Sequence, residues 1–320
     1  LASREDRELA LAVINNWRSS HSFPLNTLQV NLRKMAGYID PDPTAAQRIK
    51  RLPSIRHKLE RFPGMKLSQM QDIGGCRVVL SSVESVHEIV DYYKSRSRVK
   101  HQLLREYAYI EHPKTSGYRG VHLVWRYYSD RKPTYNGLRI EMQIRSRLQH
   151  AWATAVETVG TFTQQALKSS WGDPDWLRFF ALMSSSLALR EGTQTVPDTP
   201  DNAVDLTREL RRYAKKLDVI NRLTVYGAAL HFAEQEMRAE RGHVFLLELN
   251  VPEKTLSVWS YQNAALAAEE YSALERAIED QEGKDAVLVT VESLDALRRA
   301  YPNYFLDTGA FVASVQEAIE

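Results

Sequence analysis

Leu9, Val13 and Trp17 recur at fourfold spacing, which predicts a helix over residues 3–20 with Ser3 placed to cap it. A second helix is predicted over Leu25–Ile39, ending at the Pro41/Pro43 breaker, and Pro53 is placed to open a short one at Ser54–Lys58. Apolar runs then predict short strands at 75–81, 100–110, 120–129 and 138–145, with a helix near 83–95. Residues 146–168 and 173–192 have helical patterns. Gly192–Asp201, rich in Thr and Pro, is the clearest linker. Beyond it, 203–241 is a long charged helical region with a break expected near Val225–Gly227. Val244–Asn250 and Thr255–Tyr261 are predicted strands joined by a Pro-Glu-Lys turn. Asn263–Gln281 is an amphipathic helix, Ala286–Val291 a strand, Ser293–Ala300 a capped helix and Gly309–Ile319 a short closing helix. The pattern shows no repeats and no low-complexity tract.

Composition changes this picture little. A chain of 320 residues has room for a main domain and a smaller second one, and 43% hydrophobic with 26% charged residues is ordinary for a globular protein. The formal charge of +2 favours no class of partner, so local patches matter more. The single cysteine, Cys76, sits in an apolar strand and reads as a buried small hydrophobe. One cysteine allows no internal disulfide, which fits a reducing, cytoplasmic setting. No apolar run approaches the roughly 18 residues of a membrane span, and the first residues lack a signal core.

Four segments carry chemistry. Residues 114–122, Lys-Thr-Ser-Gly-Tyr-Arg-Gly-Val-His, put two cations, a Gly turn, an aromatic face and a histidine together, as needed to stack a base and hold phosphates. In Glu141-Met-Gln143-Ile-Arg145 a strand of period two projects the three polar groups from one face and sends the apolar pair into the core. Arg48–Lys58 packs five cations into eleven residues without an acid. Asp72 stands before the Gly74-Gly75 turn at a strand mouth, a reasonable ligand for a divalent cation.

Together these segments resemble the RelA/SpoT synthetase domain, the nucleotide pyrophosphokinase family, over roughly residues 45–160. The family pattern Arg-x-Lys, Ser-Ile, Lys falls on Arg48, Lys50, Ser54, Ile55 and Lys58. Asp-Ile-x-Gly-x-Arg falls on Asp72, Ile73, Gly75 and Arg77. Gly-Tyr-Arg-x-x-His falls on Gly117, Tyr118, Arg119 and His122, and Glu-x-Gln-x-Arg on Glu141, Gln143 and Arg145, followed by Trp152-Ala153. Two departures stand out. The Glu-His pair that usually follows Trp-Ala has a Glu here, Glu157, and no His. Gly120 stands where many members carry Ser.

The resemblance implies an α/β fold: a nucleotidyltransferase-like mixed sheet of five strands flanked by helices in residues 1–200, with a second small α/β module in 201–320. It implies an ATP:nucleotide 3′-pyrophosphokinase that moves pyrophosphate from ATP to the 3′ hydroxyl of GDP or GTP, making ppGpp and pppGpp. ATP would be held by Arg48, Lys50, Ser54, Lys58 and Arg77, with the two arginines stacked on adenine. Asp72 and Glu141 would be catalytic and hold Mg2+, with Glu141 orienting or deprotonating the attacking hydroxyl. Tyr118 would stack on the acceptor base, and Lys114, His122, Gln143 and Arg145 would fix its sugar and phosphates. No His-Asp hydrolase motif precedes residue 45, so the chain is expected to make the product and not degrade it.

Two alternatives stay open. Some small family members are toxins that pyrophosphorylate the 3′ end of tRNA, and some carry a fused neutralising domain that senses a phage protein. An inactive nucleotide-binding regulator is the other, disfavoured by the presence of both carboxylates. Elsewhere, Lys94–Lys100 and the Arg208/Arg211/Arg212/Lys215/Lys216 face read as solvated charge or RNA contacts. Trp152, Trp171, Trp176, Phe179 and Phe180 read as core, and the histidines show no zinc spacing.

Overall fold

The computed structural model describes residues 4–96, 99–163, 172–228, 231–232, 244–278, 281, 283–291, 293–305 and 307–320. The Ser3 cap, Trp171 and Arg98 lie outside them. Two helices, α1 (Arg4–Ser20) and α2 (Ser22–Ile39), lead into strand β1 (Thr44–Ile49) and helix α3 (Leu52–Arg61). Strand β2 (Gly74–Leu80), helix α4 (Val83–Asp91), β3 (Gln102–Ala108), β4 (Val121–Arg126) and β5 (Arg139–Ser146) follow. Helix α5 (Arg147–Thr163) continues directly from β5, and α6 (Pro174–Arg190) is capped by Asp173. The remainder comprises α7 (Ala203–Lys216), α8 (Val219–Ala228), β6 (His231–Phe232), β7 (Val244–Asn250), β8 (Thr255–Tyr261), α9 (Ala264–Ile278), β9 (Lys284–Thr290), α10 (Leu294–Ala300) and α11 (Gly309–Ile319).

The nine strands among the described residues form one sheet in the order β3-β4-β5-β2-β1-β9-β7-β8-β6. The first five are the expected mixed sheet, with β2 and β5 parallel and its other pairs antiparallel. The later strands extend that sheet across β1. The seam is short: β1 meets β9 through two register pairs, Gln47↔Thr290 and Arg48↔Val289, whereas β2 and β5 share seven.

Alternation sorts the strand residues as expected. Cys76, Val78, Ile140, Met142 and Ile144 pack with Leu25, Leu28, Leu32, Val86 and Ile89 of α2 and α4. Burial pushes the Cys76 thiol up to about 12, so it is an inert apolar filler. On the opposite side α5 and α10 approach the sheet. A helical core joins Trp152, Val156, Trp176, Phe179 and Phe180 to Leu206 and Leu210 of α7 and Phe311 of α11.

Two expectations need correction. The 203–241 region breaks first at Leu217–Asp218, where Asp218 adopts φ +49 and buried Leu217 and Val219 turn the chain into the core, and ends its second helix at Ala228, beside the expected Val225–Gly227, after which His231–Phe232 pair with β8 as a strand. The stretch from Gly192 to Asp201 is no loose linker. Val196 is buried, its N–H donates to Ser185 Oγ (2.9 Å), and Arg178 donates to the Asp198 carbonyl (2.6 Å).

Candidate active site

The site is built on the sheet face opposite α2 and α4. In one cross-strand row stand Arg48, Gly75, Glu141 and Val124; in the next stand Ala46, Arg77, Gln143, His122 and Tyr107. Gly75 has no side chain to fill the gap between Arg48 and Glu141. A cavity results, lined by Arg48, Lys50, Asp72, Gly75, Cys76, Arg77, Glu141, Gln143 and Tyr301.

Among the residues expected to hold ATP, Lys50 Nζ lies 2.8 Å from Asp72 Oδ2 and Lys58 Nζ lies 2.9 Å from Oδ1. Burial pushes the Asp72 carboxyl up, but the two ammonium groups outweigh it and hold it below the usual range. Burial wins at Lys50, which falls below the usual lysine range because one shared carboxylate does not compensate it and Lys58 and Arg48 repel it. Ser54 is in the first turn of α3, one turn before Lys58. The guanidinium carbons of Arg48 and Arg77 lie 6.0 and 4.9 Å from the centroid of the Tyr301 ring. Tyr301 follows α10 and is 1% exposed. The space it leaves, about 60 Å³, suits a few waters and no nucleotide.

The groups expected on the acceptor side bond to one another in a closed ring. Glu141 Oε1 is 2.9 Å from His122 Nδ1, and His122 Nε2 is 2.5 Å from Tyr118 Oη. Arg145 Nη2 donates to Tyr118 Oη (2.7 Å) and to Gln143 Oε1 (3.0 Å), and Gln143 Nε2 donates to Glu141 Oε2 (2.7 Å). Burial pushes the Glu141 carboxyl up, yet His122, Gln143 and Lys58 hold it well below the carboxylate range. Arg145 Nε and Nη1 are buried without a hydrogen-bond partner. The Tyr118 ring is 5% exposed, with Arg145 at 5.0 Å and Lys114 at 5.3 Å from its centroid and Tyr109 edge-on.

Two glycines shape this turn. At Gly117 (φ +91) a Cβ would stand 2.7 Å from the Trp152 ring and 3.0 Å from the Phe180 carbonyl. At Gly120 (φ +141) it would stand 3.1 Å from Arg145 Cγ, so the departure from Ser suits this backbone. Arg119 takes no part in the cavity: it pairs with Glu191 and donates to Thr193 Oγ1, bracing the turn against the end of α6.

Asp72 and Glu141 face one cavity and repel one another, and hard oxygen donors of this kind fit a magnesium ion beside phosphate oxygens. Among the described residues no group of three His, Cys, Asp or Glu side chains converges as a metal cage. The other basic segments are partly paired within the chain: Lys94 with Glu106, Lys100 with Asp130, Arg208 with Asp205 and Lys216 with Asp175. No helix among the described residues is long and apolar enough to cross a membrane.

A sequence profile described as a region found in RelA / SpoT proteins matches residues 47–164, which span both halves of this site except Tyr301. The chain carries a RelA/SpoT-type domain. Two relatives in Bacillus subtilis are the GTP pyrophosphokinases YjbM, 30% identical over 109 residues (33% of this chain, 51% of that protein), and YwaC, 26% identical over 113 residues (33% and 52%). The chain thus spans about half the length of these curated relatives. Similar solved structures include a GTP pyrophosphokinase family protein from Streptococcus pneumoniae (25% identity, 55% of this chain and 90% of that one, TM-score 0.45). Another is small alarmone synthetase 1 from Bacillus subtilis bound to its product pppGpp (22% identity, 55% and 92%, TM-score 0.45).

Sequence reasoning missed Tyr301. The aromatic run Tyr301-Pro-Asn-Tyr304-Phe305 after a capped helix was its only local signal, and nothing in it points to this cavity.

Proposed function

We propose that the chain is an ATP-dependent 3′-pyrophosphokinase acting on GDP or GTP in the cytoplasm, with residues before about 201 doing the chemistry and residues after it restraining them. The supporting observation is the single sheet face that presents Arg48, Arg77, Glu141, Gln143 and His122 around a cavity with Asp72, within a RelA/SpoT-type domain. Phosphoryl-type transfer needs mainly positioning and charge neutralisation, which this set offers. Lys50, Lys58 and the start of α3 take the triphosphate, exchanging Asp72 for phosphate oxygens, and Arg48 and Arg77 take the adenine. Asp72 and Glu141 hold magnesium, which supplies the charge that neutralises the phosphates when bound. A carboxylate held as low as Glu141 is a weak base, so it orients the attacking hydroxyl through the His122 ring of bonds. Lys114, Tyr118 and Arg145 mark the acceptor side, and the two unpaired Arg145 nitrogens suit an acceptor phosphate.

Tyr301 supports the restraint. An aromatic ring against both proposed adenine arginines occupies the donor base position, so ATP enters only when the C-terminal segment moves. The same restraint would equally serve a second reading, a toxin acting on the 3′ end of tRNA whose tail releases it on meeting a phage protein. The inactive-regulator reading is disfavoured by Asp72 and Glu141.

The test is transfer of label from γ-labelled ATP with magnesium, using the full chain and its Tyr301→Ala form, onto GDP, GTP or deacylated tRNA. Label on guanine nucleotide supports the first reading and label on tRNA the second. No label with either protein on any acceptor sinks both. A point variant is preferable to truncation at 201, which would remove Leu206, Leu210 and Phe311 from the helical core.

A further inference from the structure

The C-terminal segment reaches the donor side from both faces of the sheet. Tyr301 packs with Phe245, Leu247, Val287 and Val289 on one face of β7 and β9. Tyr271 of α9 packs with Leu246 and Ala286 on the other. One turn beyond Tyr271, Glu275 is buried against Arg18 of α1. Arg18 Nη1 lies 2.7 Å from Glu275 Oε2 and Nη2 lies 3.2 Å from Oε1. Tyr271 Oη donates to the same Oε1 at 2.6 Å.

What this pair holds is informative. Arg18 Nε donates to the Lys50 carbonyl (2.9 Å), and the Leu52 N–H donates to Glu275 Oε1 (3.0 Å). Those are the peptide groups on either side of Arg51, at the turn from β1 into α3. Lys50 stands just before that turn; Ser54 and Lys58 stand just after it. One half of the grip comes from the N-terminal helix and the other from the C-terminal segment.

We propose that Arg18 and Glu275 are positioning residues forming a clasp that ties the C-terminal segment to the β1–α3 turn and so keeps Tyr301 seated on the donor arginines. Neither lines the cavity. The inference rests on the reading of this cavity as an ATP site. Its physical basis is asymmetry between two states. With the segment docked, removing either partner leaves the other charged and buried without its counter-charge, a disfavoured arrangement that the remaining bonds of Arg18 to Asn15 and Tyr271, or of Glu275 to Tyr271 and Leu52, offset only in part. With the segment undocked, Arg18 and Glu275 are each free to meet water, so the loss costs little. Single substitutions therefore shift the balance toward the undocked, ATP-accessible form.

The experiment measures binding of a non-hydrolysable ATP analogue with magnesium, together with amide exchange across α9, in the full chain. Arg18→Met and Glu275→Met should each bind the analogue about tenfold more tightly or better and exchange faster across α9. The double form Arg18→Met/Glu275→Met should return toward the parent, because an apolar pair can replace a buried ionic one. Glu275→Gln keeps the shape and the oxygen that faces Leu52 and gives a smaller gain; it carries the test should the methionine form not fold. A purely structural pair would weaken binding or leave it unchanged, and either result overturns the clasp. Tyr301→Ala separates the levels: if it gains affinity while the clasp variants do not, the clasp is wrong and the ATP reading stands. If Tyr301→Ala fails to bind as well, both fall.

Discussion

The proposed donor and acceptor sides of the cavity stand next to each other on one sheet face, yet they satisfy their charges differently. Acceptor-side groups bond among themselves: Glu141, His122, Tyr118, Arg145 and Gln143 close a ring in which every link is local to β4, β5 and the turn before them. The donor side depends on distant chain. Arg48 and Arg77 meet Tyr301, and the turn between Lys50 and Leu52 is held by Arg18 and Glu275. A self-contained ring is a pre-organised site. A site completed by a remote segment is one that the segment's movement can control.

The largest way to break the comparison strikes the residues at its centre. Asp72→Ala and Glu141→Ala are each expected to lower transfer a thousandfold or more, on the order of several kcal/mol of lost transition-state stabilisation. Both variants should keep the far-UV spectrum of the parent, and near-normal rates at saturating magnesium would misplace the metal.

Tyr301→Ala sharpens the contrast. Two cation–π contacts are lost, each worth about 0.5–2 kcal/mol, so ATP-analogue affinity should rise by about 5-fold at the low end and up to about 900-fold at the high end, with acceptor affinity unchanged. Calorimetric titration of each ligand separately checks this, and equal gains for both would merge the two sides.

Tyr118→Phe tests the acceptor ring. It deletes one hydroxyl that accepts from Arg145 and meets His122. Bonds to charged groups are worth about 1.5–3 kcal/mol. Part of this should appear as roughly tenfold weaker acceptor binding, with donor binding unmoved in the same titrations.

The smallest effect is a pH dependence beneath both sides. His150 Nε2 meets the Arg299 carbonyl at 3.1 Å, and burial, then Arg77 and Arg145, hold its pKa well below the usual histidine range. The unfolded chain binds this proton more readily than the folded one. Stability from His150 is therefore complete above about pH 6.5 and is lost as pH falls, by at most about 1.4 kcal/mol per unit. Urea midpoints from pH 7.5 to 5.5 should decline, and less steeply in His150→Gln.

Much of the RelA/SpoT-type region was legible in the chain because its signals are local. The Glu141/Gln143/Arg145 alternation specified which side of β5 enters the α2–α4 core. Strand β1 was not legible: Thr44-Ala-Ala-Gln-Arg-Ile has little apolar content, and its burial comes from α2 on one side and the later strands on the other. Arg119 looked like a phosphate-side cation, and only Glu191, far along the chain, shows it to be a brace. The same reason hid Tyr301 and Glu275. Their meaning comes from partners hundreds of residues away, and no spacing rule reaches that far.

The two-pair seam between β1 and β9 has a further consequence, for solubility. A C-terminal segment that leaves takes β9 with it and turns β1 into the border of the remaining five strands. A border strand with open amides and carbonyls invites another chain to pair with it. Polar Thr44, Gln47 and Arg48 make that border a poor template, and the strand is only six residues long. The released form would thus be guarded against clumping by polar residues of which one, Arg48, also lines the pocket.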